Sequence, residues 1–133
     1  MSIDEKKINF LKNIETNNKS HSGRTLIDHL IGVHDILKNN GAPQYLQDAG
    51  LFHSVYGTVR FKHQSTNNRD AVIELIGEQA EQIVWEFCNL PKERYKAISE
   101  FEGQLKEDLL LLTKANQYEQ RAPIMSWKDA YDL

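Results

Sequence analysis

The sequence predicts an all-α fold, a single-domain helical bundle, on three observations. Apolar residues recur at helical spacing in nearly every segment. No stretch alternates apolar and polar residues for long enough to make a strand. Leu109, Leu110, Leu111 and Leu112 form an apolar run inside a longer helical pattern. A helix that is apolar on every side belongs at the centre of its fold.

Each element has its own signals. Asp4 is suited to cap a first helix whose Ile8, Leu11 and Ile14 fall on one side. Residues 17–23 are polar and turn-rich, which predicts a loop. Thr25 starts the next helix, with Leu26, Leu30, Val33 and Leu37 on one face, and Asn39-Asn40-Gly41 ends it. Pro43 fits the first turn of a third helix, which carries Leu46, Leu51 and Phe52 toward His53. Periodicity vanishes over 56–68, a segment holding Gly57, Arg60, Lys62 and His63 that reads as a long loop. Two helices follow, split at Gly77: Val72, Ile73 and Ile76 mark the first, and Ala80, Ile83, Val84 and Phe87 the second. Pro91 closes that unit, and the leucine-rich helix spans 105–121, with Asn116 and Tyr118 just past the leucines.

With 133 residues, the chain is expected to be one domain over 1–133, its core about 20–121, with the first helix and a short C-terminal tail packed on it. Hydrophobic residues make up 40% and charged residues 26%, as in an ordinary globular protein. A net charge of −3 and a pI near 5.9 give no basic footprint for nucleic acid. No apolar run reaches the roughly 20 residues of a membrane span. Residues 1–7 lack the apolar stretch of a signal peptide. Cys88, the one cysteine, has no partner for an internal disulfide, so the expected setting is the cytoplasm. Its simplest role, like that of Trp85 and Phe87, is core packing. Trp127 and Tyr131 in the tail either pack back or join a neighbouring subunit, which leaves a homo-oligomer open.

The chemistry concentrates at two histidines 24 positions apart. His29 follows Ser22-Gly23 at the start of an amphipathic helix, and His53 lies in Leu51-Phe52-His53-Ser54. Imidazoles on two packed helices are able to converge on one ion or ligand. His34-Asp35 does not join them, because His34 is about 140° around the helix from His29 and reads as a polar-face residue. No glycine-rich phosphate loop, cysteine pair or Gly-x-Ser-x-Gly elbow is present. His53 and Ser54 are adjacent, which on a helix points them apart and argues against a Ser-His nucleophile.

These words, in this order and spacing, resemble the HD superfamily of all-helical metal-dependent phosphohydrolases. The likeness is greatest to the hydrolase domain of the RelA/SpoT enzymes, and it spans roughly 20–121. The Ser-Gly loop leads to His29 as to the first metal histidine there. Phe52-His53-Ser54 stands where that family has Leu-His-Asp, and Gly77-Glu78 opens the following helix. Ala115-Asn116 stands where an Ala-Asp supplies the last ligand. The resemblance implies an HD-domain/phosphodiesterase-like bundle in a small family with no activity of its own to carry over. It also assigns His21 to a basic position that touches nucleotide.

The departures fall at the chemistry. Two metal aspartates become the neutral Ser54 and Asn116, which disfavours Mg²⁺ and Mn²⁺ most. The Glu-Asp pair that works on water in the RelA/SpoT hydrolases is replaced by Tyr56-Gly57-Thr58. Ordinary ppGpp hydrolysis is therefore not expected. A resident cofactor is not expected either; if a metal binds, zinc or iron at His29 and His53 suits the imidazoles. The candidate pocket comprises His21, Arg24, His29, His53, Ser54, Tyr56 and Asn116. Arg24, with Arg60 and Lys62 at its mouth, favours an anionic ligand, since arginine grips phosphate or carboxylate in a fork. Three readings stay open: a domain binding a small anionic or nucleotide-like molecule, a zinc- or iron-dependent hydrolase or oxygenase, and a structural or interaction module.

Overall fold

The computed structural model describes residues 4–14, 20–21, 24–57 and 67–121. Six helices make the fold all-α, as the periodicity predicts: α1 (Glu5–Ile14), α2 (Leu26–Asn39), α3 (Gln44–Leu51), α4 (Arg69–Cys88), α5 (Arg94–Ile98) and α6 (Gly103–Arg121). In the stretch expected to be loop, Ser20–His21 (β1) and Arg24–Thr25 (β2) form a two-residue antiparallel ladder, with Ser20 opposite Thr25 and His21 opposite Arg24. This short pairing moves the start of α2 to Leu26 and leaves the fold class unchanged.

Local signals account for most helix ends. Asp4 caps α1 by accepting the amide of Lys6 at 2.9 Å. Gly41, at φ 80°, lets the chain leave α2 in the left-handed conformation while Ala42 N–H donates to Leu37 O. Pro43 is the N-cap of α3, and the Asn68 side chain caps α4 on Ala71 N–H. The split expected at Gly77 is present as a break inside α4, where this residue takes φ 87°, ψ 163°. The five-residue α5 has no counterpart in the sequence reading, because one turn is too short to show a periodicity.

α2 packs against α3 and α6, α3 against α4, and α6 touches α2, α3, α4 and α5. The central place expected for the leucine helix is thus its actual one, with Leu109 and Leu112 fully buried and Leu110 and Leu111 packed against the core from outside. The close approach of α2 and α3 depends on Gly50, since a Cβ there would lie 2.6 Å from Leu37 Cδ1 and 3.2 Å from Val33 Cγ1. After α3 the chain runs through a wholly buried turn over 52–57, closed by Val55 N–H on Phe52 O and Gly57 N–H on Ser54 O. That turn carries His53, Ser54 and Tyr56 into the interior, with His53 against α2 and α4 and Tyr56 against α4. Among the described residues, no helix is long and apolar enough to cross a membrane.

Candidate functional site

His29 lies on the buried face of α2 with Leu26, Leu30 and Val33, and is 1% exposed. Its ring is gripped from α6. Nδ1–H donates to Glu119 Oε1 at 2.5 Å, and Nε2 lies 2.8 Å from Asn116 Oδ1. Asn116 and Glu119 are three residues apart, so they project from one face of α6 and meet opposite edges of the same imidazole. His53, 3% exposed, donates from Nδ1 to Gly50 O at 2.7 Å, which fixes its hydrogen on that nitrogen. The two rings meet edge to face with centroids 5.1 Å apart, and His53 makes a similar contact with Phe87 at 5.5 Å. Ser54, also 3% exposed, has a buried hydroxyl with no hydrogen-bond partner among the described residues.

A second polar cluster lies behind this turn. Glu81 is buried on α4 and accepts from Tyr56 Oη–H at 2.7 Å, from Arg69 Nε–H at 2.7 Å and from Arg69 Nη2–H at 2.9 Å. The guanidinium rests over Trp85, 4.0 Å from its centroid. Burial pushes the Glu81 carboxyl upward, but the hydrogen bonds from Arg69 and Tyr56 outweigh it, and the net shift is downward. Burial, then the Glu81 bond, raises the Tyr56 hydroxyl well above its usual range. The Cys88 thiol donates to His53 O at 3.1 Å, and burial pushes its pKa up to about 12.

The model of a domain family of unknown function, DUF6817, matches residues 10–92, more than half of the chain. The chain belongs to this family. No curated protein and no solved structure matches it. The matched part of this DUF6817 chain holds His29, His53, Ser54, Tyr56 and Glu81, while Asn116 and Glu119 lie beyond it on α6.

Of the candidate residues, the structure brings His29, His53 and Asn116 together, with Ser54 following His53 on the same buried turn. Tyr56 belongs to the neighbouring cluster, its hydroxyl committed to Glu81. The side chains of His21 and Arg24 lie outside the described residues, as do Arg60, Lys62, His63, Trp127 and Tyr131. His34 departs from its expected place. It is 4% exposed rather than on a polar face, with Nδ1 against Asp35 Oδ1 at 2.9 Å. Its position, one residue after Val33, puts it beside the α2–α3 contact, which widens the buried face of α2 beyond the Leu26, Leu30, Val33 and Leu37 stripe. Trp85 is half-buried at the edge of the core instead of inside it, with one ring face covered by the Arg69 guanidinium.

The metal implied by the resemblance is poorly matched by these donors. Imidazoles, an amide oxygen and a hydroxyl bring no negative charge, whereas hard divalent cations want carboxylates. The nearby carboxylate of Glu119 is engaged on the outer nitrogen of His29. Among the described residues, no three His, Cys, Asp or Glu side chains are placed to hold a metal ion. An open cleft of about 450 Å³ lies elsewhere, between α1 and α4, lined by Lys6, Phe10, Ala71, Glu74 and Leu75.

Sequence reasoning did not find Glu119, Glu81 or Arg69. A signal existed for two of them. Glu119 is one turn from Asn116 on the same helix. Glu81 is an acidic residue next to Ala80 and one turn from Val84, in the apolar register of α4. Arg69, on the other side of the Gly77 break, had none.

Proposed function

We propose that this DUF6817 domain is an HD-like domain with a degenerate metal site, which binds a small anionic or nucleotide-like ligand at His29, His53 and Asn116 without ordinary phosphohydrolase activity. The observation that carries this reading is the Ser54 hydroxyl, buried beside His53 without a partner among the described residues. A buried polar group left unpaired costs about 1–3 kcal/mol. A bound molecule that pairs with it recovers that cost. Charge supports an anion over a cation. Ser54 and Asn116 are neutral where the resembled family has carboxylates, and the Glu119 charge is spent on His29. A lone, buried, protonated thiol is in keeping with the cytoplasm.

A zinc- or iron-dependent hydrolase or oxygenase is favoured by a different observation. Both imidazoles have Nδ1 held by an oxygen, Glu119 Oε1 for His29 and Gly50 O for His53, which is the anchoring that metal-ligating histidines show. The near-complete burial of both rings favours the third reading, a closed structural module.

One comparison separates the three. Elemental analysis of the purified protein is set beside a His29→Ala, His53→Ala double variant, and both are melted with inorganic phosphate and with guanosine diphosphate. No bound metal, with a melting shift of several degrees in the wild type only, is the expected result; ligand at 100 times Kd adds about 2.7 kcal/mol of stability. Stoichiometric zinc or iron lost in the variant overturns this reading in favour of the metalloenzyme. Neither metal nor shift overturns it in favour of the closed module.

A further inference from the structure

Gly32 is one helical turn after His29 on α2, beneath the point where α6 crosses. A Cβ built at Gly32 would lie 2.6 Å from Glu119 Oε2, 2.8 Å from its Cγ and 2.9 Å from its Cδ. Any side chain there would collide with the whole carboxyl end of Glu119. The backbone of Gly32 is ordinary helix, so nothing about φ or ψ requires glycine. Glycine is also a poor residue for a helix interior, and alanine would serve the helix better. What the missing Cβ provides is a notch, and the notch is filled by the carboxylate that grips His29.

We propose that Glu119, seated in the notch at Gly32, is the positioning residue of the site: it sets the ring orientation of His29, holds a hydrogen on Nδ1 and turns Nε2 toward Asn116. This rests on the reading of His29 as a site residue. A carboxylate only accepts, so the hydrogen of the 2.5 Å contact is on Nδ1 whatever the charge of the ring. Nε2 then faces the Asn116 carboxamide, 2.8 Å from Oδ1. The Glu119 carboxylate is itself almost enclosed, with its side chain 8% exposed. A charge taken that far from water is retained where it has a charge-assisted partner. Gly32, Glu119 and Asn116 thus act as one unit on one imidazole, from two helices.

The test is a proton–nitrogen spectrum of the histidine rings in the full chain without added ligand. The His29 signals are assigned by their loss in His29→Gln. The expected wild-type result is a hydrogen on Nδ1, with a far-downfield proton protected from exchange. Glu119→Ala and Gly32→Ala both lose that proton signal, and Glu119→Gln, isosteric and still able to accept, keeps it shifted. An unchanged Nδ1–H signal in Glu119→Ala overturns the proposal. So does an unchanged signal in Gly32→Ala, a substitution that favours the helix and so does not act by melting it. The spectrum needs no ligand, which keeps it separate from the binding reading. Altered rings in a protein that binds neither phosphate nor metal would sink that reading and leave the positioning role intact.

Discussion

Arg69 and Glu81 form a fork across the Gly77 break, and the two ends of the fork are unequal. The Glu81 side chain is almost fully enclosed, while that of Arg69 is 41% exposed. Removing the arginine strands a buried carboxylate with, among the described residues, Tyr56 alone to serve it, whereas removing the carboxylate releases a guanidinium that water reaches. Arg69→Met is therefore expected to cost about 3–5 kcal/mol, and Glu81→Gln about 1–2 kcal/mol. Urea denaturation midpoints of the two variants check the order, and a larger loss in Glu81→Gln would contradict it. The sign of the pH effect follows from the lowered Glu81 carboxyl. Its contribution is present above the usual carboxylate range and is lost as pH falls through the folded-state value. In Glu81→Gln that part of the acid sensitivity disappears. Of the residues in these two clusters, His29, His53 and Asn116 are legible in the sequence through the order and spacing that resemble the HD superfamily, not through any local pattern. Arg69 on Glu81 is not, since the two meet only once the chain has bent at Gly77.

At the scale of elements, glycines decide how the helices meet. Gly77 takes φ 87° and ψ 163°, a region that side chains with a Cβ enter only under strain. Nothing lies within 4 Å of a Cβ there, so strain is the whole effect of a substitution. Gly77→Ala is expected to cost about 1–3 kcal/mol, read as a drop in the thermal midpoint. A fall no larger than that of an exposed control substitution would show that α4 tolerates a straighter path. The helix breaks were predictable because they are written in single residues: Gly41 and Gly77 at positive φ, Asp4 and Asn68 as caps. Gly32 carried no such mark. Its meaning depends on α6 crossing above it, and no local pattern in α2 reports the presence of another helix.

Taken as one molecule, the described residues form one hydrophobic cluster to which all the long helices contribute, and Cys88, Tyr56 and Glu81 are buried within it. Burial of these groups makes stability sensitive to alkali. The Cys88 thiol, usually near 9, is pushed up to about 12 by burial, and Tyr56 and Tyr45 are raised as well. A group raised in the folded state contributes stability that is full below its unfolded value and is lost as pH climbs through the folded one. Melting temperatures should therefore fall between about pH 9 and 12, with Cys88 supplying at most about 1.4 kcal/mol per pH unit. Cys88→Ala is expected to flatten that fall without abolishing it, because the tyrosines act with the same sign; an unchanged slope would remove Cys88 from the account. The sequence by itself determined the all-α class, most of the helices, the split at Gly77 and the place of the leucine helix, and a family resemblance grouped His29 with His53 and Asn116. Periodicity, caps and register are properties of neighbours along the chain, and a single chain displays them. Only the tertiary structure decided that Glu119 holds His29, that Arg69 and Tyr56 close on Glu81, and that His34 is buried. Period tells which face of a helix turns inward, but the partner it finds there depends on how far apart two helices cross, and a hydrogen bond is made or lost within an ångström of that distance.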